Sequence, residues 1–123
     1  VSIPEDRELL GLAAKAAGYP IHSDAKWVGA GGGKPSLYMG LRGQKWNPLE
    51  DDGDALRLAV KLHLDICFYR GFEEVGVQGE GTSDTPTSLG EPVEANEKFG
   101  DDTYAAARRA IVRAAAEIGR SMP

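Results

Sequence analysis

Apolar residues return at helical spacing in three stretches of the chain and alternate with polar ones in several shorter stretches. From Pro4 to Ala17, Leu9, Leu12, Ala13 and Ala16 fall on one side of a helix, because residues three and four apart share a face. Pro4 suits a first turn, where its missing N–H has no intrahelical partner to lose. Glu5 and Asp6 place negative charge at the positive end of the helix dipole. Gly18 permits the left-handed conformation that stops a helix, and Pro20 prevents its return. Ile21 to Val28 predicts a strand and Gly29 to Lys34 (GAGGGK) a turn. Ser36 to Arg42 predicts a second strand, with Leu37, Met39 and Leu41 alternating against Tyr38 and Arg42. The two strands read as a hairpin.

Pro48 pushes Asn47 out of the helical region. Trp46-Asn47-Pro48 is therefore a turn leading into a helix that runs on to Leu64. Asp51, Asp52 and Asp54 crowd its start. Leu56, Ala59, Val60 and His63 predict its buried face, with Leu58 and Leu62 flanking it. Asp65 to Tyr69 and Phe72 to Gln78 predict two strands around a turn at Arg70 and Gly71. Gly79 to Pro92 (GEGTSDTPTSLGEP) reads as a loop. Pro92 to Phe99 predicts an edge strand, given its charges and opening proline. The last helix spans about Asp102 to Arg120, with Asp101 or Asp102 as N-cap. Tyr104, Ala107, Ile111, Ala114 and Ile118 form a narrow seam along it. The order α-β-β-α-β-β-β-α predicts an α+β fold, a mostly antiparallel sheet with helices on its faces.

The chain has 123 residues, enough for one domain over 1–123 that buries its own core. Lys and Arg number 14 against 19 acids, a net charge of -5. That argues against indiscriminate duplex DNA binding, which needs a cationic surface. It leaves room for a local basic pocket. The single cysteine, Cys67, cannot form an internal disulfide and suits a reducing cytoplasm. No apolar run approaches the roughly 20 residues that cross a bilayer, and no secretory pattern opens the chain.

Two stretches together, Trp46 to Ile66 (WNPLEDDGDALRLAVKLHLDI) and Tyr104 to Met122 (YAAARRAIVRAAAEIGRSM), carry a family pattern. With Asp6 to Gly18 (DRELLGLAAKAAG) they resemble the small phage and prophage proteins of the phage ABA sandwich domain family. The resemblance is specific in WNPLxDDGDALRLAV and RRAIVRAAAEIG and loose between them. It implies a three-layer α-β-α sandwich, a phage origin and a host bacterial cytoplasm. It brings no catalytic residue set, because the family is a domain of unknown function. The Gly79–Pro92 loop and the GAGGGK turn depart from the family pattern.

Several constellations invite a chemical reading. Asp51, Asp52 and Asp54 could collect a hard cation, but the calcium-loop spacing fails and a helix cap explains them first. GAGGGKPS resembles a phosphate loop, yet Val28 stands where the first glycine belongs and Pro35 where a hydroxyl is required. His22, His63 and Cys67 lack the paired spacing of a zinc site. His63 reads as a core histidine and Cys67 as a buried small hydrophobe. The basic residues suggest more. Arg57 and Lys61 share a helix face near Asp54, and Arg109 and Arg113 share another with Glu117 beyond. Asp54–Arg57 and Arg113–Glu117 pairs within the helices would each add about 0.2–0.5 kcal/mol. Alternatively, arginines and rings converge on an anionic planar ligand, guanidinium on phosphate and Trp27 or Trp46 on a base. Two readings of Trp46 stand: a ligand-stacking ring, or a ring packed to fix the start of the following helix. The candidate ligand-binding set is Trp46, Asn47, Arg57, Lys61, Arg109 and Trp27, with no catalytic residue, metal or cofactor.

These features predict a non-catalytic binding protein that sequesters a signalling nucleotide. The ligand would be a cyclic oligonucleotide or an ADP-ribose derivative, and the role a phage countermeasure to host defence. The alternatives are a module that docks on a host or phage protein and a metal-dependent nucleotide-cleaving enzyme. A chain this small has little room for a deep pocket of its own. A homo-oligomer is therefore expected, with the Ala-rich seam of the last helix as one surface for it.

Overall fold

The computed structural model describes residues 3–19, 27–28, 36–39, 44–79 and 93–122. The first helix, α1 (Ile3–Ala16), ends where Gly18 takes a positive φ of 77°. There the Gly18 and Tyr19 N–H groups donate to the carbonyls of Lys15 and Ala14, satisfying last-turn acceptors that would otherwise be orphaned. Its buried residues are Leu10, Ala13 and Ala14, followed by Ala17 just beyond its end, while Leu12 and Ala16 are half-buried. The buried face is thus rotated from the predicted one. α1 packs chiefly on the last helix, through a seam of small residues.

Strand β1 (Trp27–Val28) pairs antiparallel with β2 (Ser36–Met39), Trp27 opposite Leu37. This is the predicted hairpin. β2 also pairs with β3 (Gln44–Trp46), placing Leu37 opposite Trp46. The sequence does not announce β3, because three residues are too few to show a period. The GAGGGK turn, His22 and the greater part of the Gly79–Pro92 loop lie outside the described residues.

Helix α2 (Asp52–Leu62) starts at Asp51, whose carboxylate accepts the Asp54 N–H at 2.7 Å. It stops at His63, whose φ of 54° is left-handed. The buried residues are Ala55, Leu58 and Ala59; Leu56 is 59% exposed and Val60 64%. The expected apolar face through Leu56, Val60 and His63 is therefore wrong. α2 packs on the last helix, burying the Ala55–Leu58–Ala59 stripe with Leu62 partly buried against the core, while Leu56 and Val60 face solvent. His63 is an exposed cap, not a core histidine.

Strands β4 (Asp65–Tyr69), β5 (Glu74–Gly79) and β6 (Val93–Lys98) form an antiparallel sheet with β5 in the centre. A short 3₁₀ turn, Arg70–Phe72, joins β4 to β5, and Glu73 completes it in the left-handed region. Registered rows place Ile66, Val77 and Ala95 side by side on one face and Cys67, Gly76 and Asn96 on the other. Helix α3 (Thr103–Ser121), capped by Asp102, covers the first face through β5 and β6. Cys67 lies on the opposite face and is exposed, which corrects its reading as a buried hydrophobe.

α3 is the centre of the molecule. Ala106, Ala110, Ile111, Val112, Ala114, Ala115, Ala116, Ile118 and Gly119 are all buried. They surround the helix instead of forming a narrow seam, because α1, α2 and the sheet pack on different sides of it. A Cβ on Gly119 would collide with the Leu12 carbonyl of α1, so this glycine sets how closely the two helices approach. The alanines that could have served a symmetry mate are spent inside the chain. The fold class is as predicted: α+β, with an antiparallel sheet flanked by helices. Among the described residues, no helix is long and apolar enough to cross a membrane.

Candidate functional site

Trp46 closes β3 and Asn47 starts the turn that leads into α2, and both are buried. The Asn47 side-chain oxygen accepts the Leu49 N–H at 3.0 Å, and its backbone carbonyl accepts from Glu50 and Asp51. An Asx-type turn of this kind lets a short polar side chain imitate a backbone turn. The Asn47 N–H donates to Asp54 Oδ2 at 2.9 Å, and Arg57 donates to Asp54 Oδ1 at 2.7 Å. Asp54 therefore stitches the turn to the first turn of the helix. Its hydrogen bond also raises the pKa of Arg57 above its ordinary value. Arg108 of α3 donates to the Leu49 carbonyl at 2.8 Å and pairs with Asp52 at 2.6 Å. Each acid of the DDGD cluster is thus occupied by a cap, a turn or an arginine. Among the described residues, no group of three His, Cys, Asp or Glu side chains could hold a metal ion.

The Trp46 ring meets Tyr19 edge-on, centroids 5.6 Å apart. On α2, Lys61 places its ammonium 4.5 Å from the Tyr19 ring centroid. A cation over a tyrosine face is attracted by the ring quadrupole. Of the six candidate residues, Trp46 and Lys61, the latter in the last turn of α2, meet at Tyr19, while Asn47 and Arg57 meet at Asp54. Asn47 and Arg57 serve the turn, and Trp46 is a packed ring. Arg109 lies elsewhere. It pairs with Asp6 at 3.2 Å, Glu97 at 3.4 Å and Glu5 at 3.9 Å, joining α1, β6 and α3. Arg113 reaches Glu97 at 3.1 Å and the Asn96 carbonyl at 2.9 Å instead of pairing with Glu117. A strand beside the helix offers it better acceptors than the next turn does. Trp27 belongs to β1 by its backbone, and its side chain lies outside the described part of the structure.

Tyr19 also ends a groove that the sequence analysis did not find. An open cavity of about 620 Å³ runs along α1, lined by Arg7, Glu8, Gly11, Leu12, Lys15, Gly18 and Tyr19. Arg7, Gly11 and Lys15 are spaced four apart, so they form one stripe on the helix. Nothing lies within 4 Å of where a Cβ on Gly11 would sit, so this glycine leaves the groove wider than any other residue would. Lys15 Nζ donates to the Met122 carbonyl at 3.0 Å, and Glu8 pairs with Arg120 at 3.7 Å. The groove thus has a small-residue floor, two cations, one partnered acid and an aromatic end wall. The signal available in the sequence was the unexplained glycine inside a helical pattern, flanked at equal distance by Arg7 and Lys15.

On the open face of the second sheet, Tyr69 lies against Gly76, where a Cβ would come within 2.9 Å of its ring. A hydrogen bond with Cys67 pushes the Tyr69 phenol above its ordinary value. No family model, curated protein or solved structure matches the chain.

Proposed function

We propose that this chain is a non-catalytic binding protein whose α1 groove holds a small anionic ligand with a planar ring, a nucleotide by chemical class. One observation supports this most: the groove combines Arg7 and Lys15 with an end wall at Tyr19, itself bound to Trp46 and Lys61. Phosphates are recognised by guanidinium and ammonium groups, and a base by an aromatic ring with a nearby cation. The volume falls in the usual range for small-molecule sites. In the phage setting implied by the sequence resemblance, holding a signalling nucleotide intact in the host cytoplasm would blunt host defence. The ligand would be a cyclic oligonucleotide or an ADP-ribose derivative.

A thermal-shift screen of such nucleotides tests the reading. At a hundredfold excess over Kd, a ligand that binds only the folded chain adds about 2.7 kcal/mol of stability. A rise in Tm with one nucleotide class, lost in Lys61→Ala, is expected. Absence of any rise across the panel would overturn the reading. A stoichiometric protein recovered by pull-down, with no retained small molecule, would replace it with a docking role.

A further inference from the structure

The two edges of the second sheet differ in chemistry. β6 carries Glu94, Glu97 and Lys98 within six residues, the charged treatment that keeps an edge from pairing. β4 has no such protection. It reads Asp65-Ile66-Cys67-Phe68-Tyr69, with one charge at its first position and neither proline nor lysine. Among the described residues, no strand pairs with its outer side. Large apolar groups remain exposed on and after this strand: Phe68, its ring 6.4 Å from Phe99, is 50% exposed and Phe72, in the turn that follows, 74%. An unpaired edge of this kind presents a row of free backbone donors and acceptors.

We infer that the outer edge of β4 pairs antiparallel with β4 of a second copy of this chain, centred on Cys67, joining the two sheets into one of six strands. The centring follows from self-complementarity. Only a two-fold axis at the middle residue lets all five positions of the strand pair. It sets Phe68 opposite the partner's Ile66, on the side of the sheet where α3 packs against β5 and β6. On the open face it sets Tyr69 opposite the partner's Asp65. No acid then meets an acid. Such an isologous arrangement uses the same patch on both copies, as two-fold dimers do.

Cys67 reports directly on this register. Directly opposed residues of an antiparallel pair have Cα atoms roughly 4.5 or 5.5 Å apart, and either spacing lies within the range a disulfide spans. Both thiols would point to the same open face. The test is sedimentation of the reduced chain over a concentration series, followed by diamide oxidation under native conditions and in urea. The expected results are a concentration-dependent dimer and near-complete Cys67–Cys67 crosslinking in buffer but not in urea. Phe68→Lys should lose both the dimer and the crosslink while its far-UV circular dichroism is unchanged. A chain that stays monomeric at all concentrations would overturn the proposal. So would a dimer whose Cys67 thiols crosslink no better in buffer than in urea. The second comparison uses the unaltered chain, so it decides even where Phe68→Lys does not fold.

Discussion

Glycines separate the residues that organise this molecule from those that merely occupy it. At Gly119 a side chain would strike the backbone of α1. Gly119→Ala should therefore cost about 1–3 kcal/mol, as overpacking does, read as a lower urea midpoint at unchanged m-value. At Gly11 a side chain meets nothing. Gly11→Ala should stabilise α1 by about 0.5–1 kcal/mol, the helix-propensity difference between the two residues, by the same measurement. The sequence could not distinguish these two positions, because both are single glycines within helical patterns and only the neighbouring backbone decides. The polar turn residues were more legible. Asn47 before Pro48 and Asp51 before the helix play the turn and cap roles their chemistry suggests. Arg57 pairs with Asp54 as local spacing requires. Arg113 and Arg109 reach acids far away in the chain, which local spacing cannot report.

At the scale of elements, caps and turns are legible in the sequence and buried faces are not. The Gly18 stop of α1, the Asp102 cap of α3 and the strand pairs on either side of Arg70 all follow from local chemistry. The buried side of α2 does not. Leu56 and Val60 are as apolar as Leu58, and only the position of α3 selects the Ala55–Leu58–Ala59 stripe. This choice has a measurable consequence. Leu58→Ala should cost about 2–5 kcal/mol, as truncation of a fully buried leucine does, whereas Val60→Ala should cost little. Equal losses in thermal or chemical unfolding would mean that α2 is rotated from the orientation described. The cap offers a second check on α2. Asp51→Ala removes the acceptor for the Asp54 N–H and should cost about 1 kcal/mol, and Asp51→Asn should restore most of that loss.

For the molecule as a whole, one buried Ala-rich helix carries everything else. α1, α2 and the second sheet each pack on α3, and Arg108 and Arg109 extend from it to α2, α1 and β6. The α+β class was legible because every apolar stripe needed a partner. The groove was not, because most of its lining on α1, Arg7, Glu8, Gly11 and Lys15, lies outside the face that the hydrophobic pattern marks. Two of the residues expected to bind ligand, Trp46 and Lys61, meet Tyr19 at its end without lining it. The most direct test of a binding role for this groove is titration calorimetry of ADP-ribose and a cyclic dinucleotide. Both the unaltered chain and Gly11→Leu are measured, since the substitution fills the groove without touching the core. Saturable heat from one nucleotide, recovered chemically intact and abolished in a Gly11→Leu protein of undiminished Tm, is the expected result. Equal binding by both proteins, or a nucleotide recovered cleaved, would contradict it.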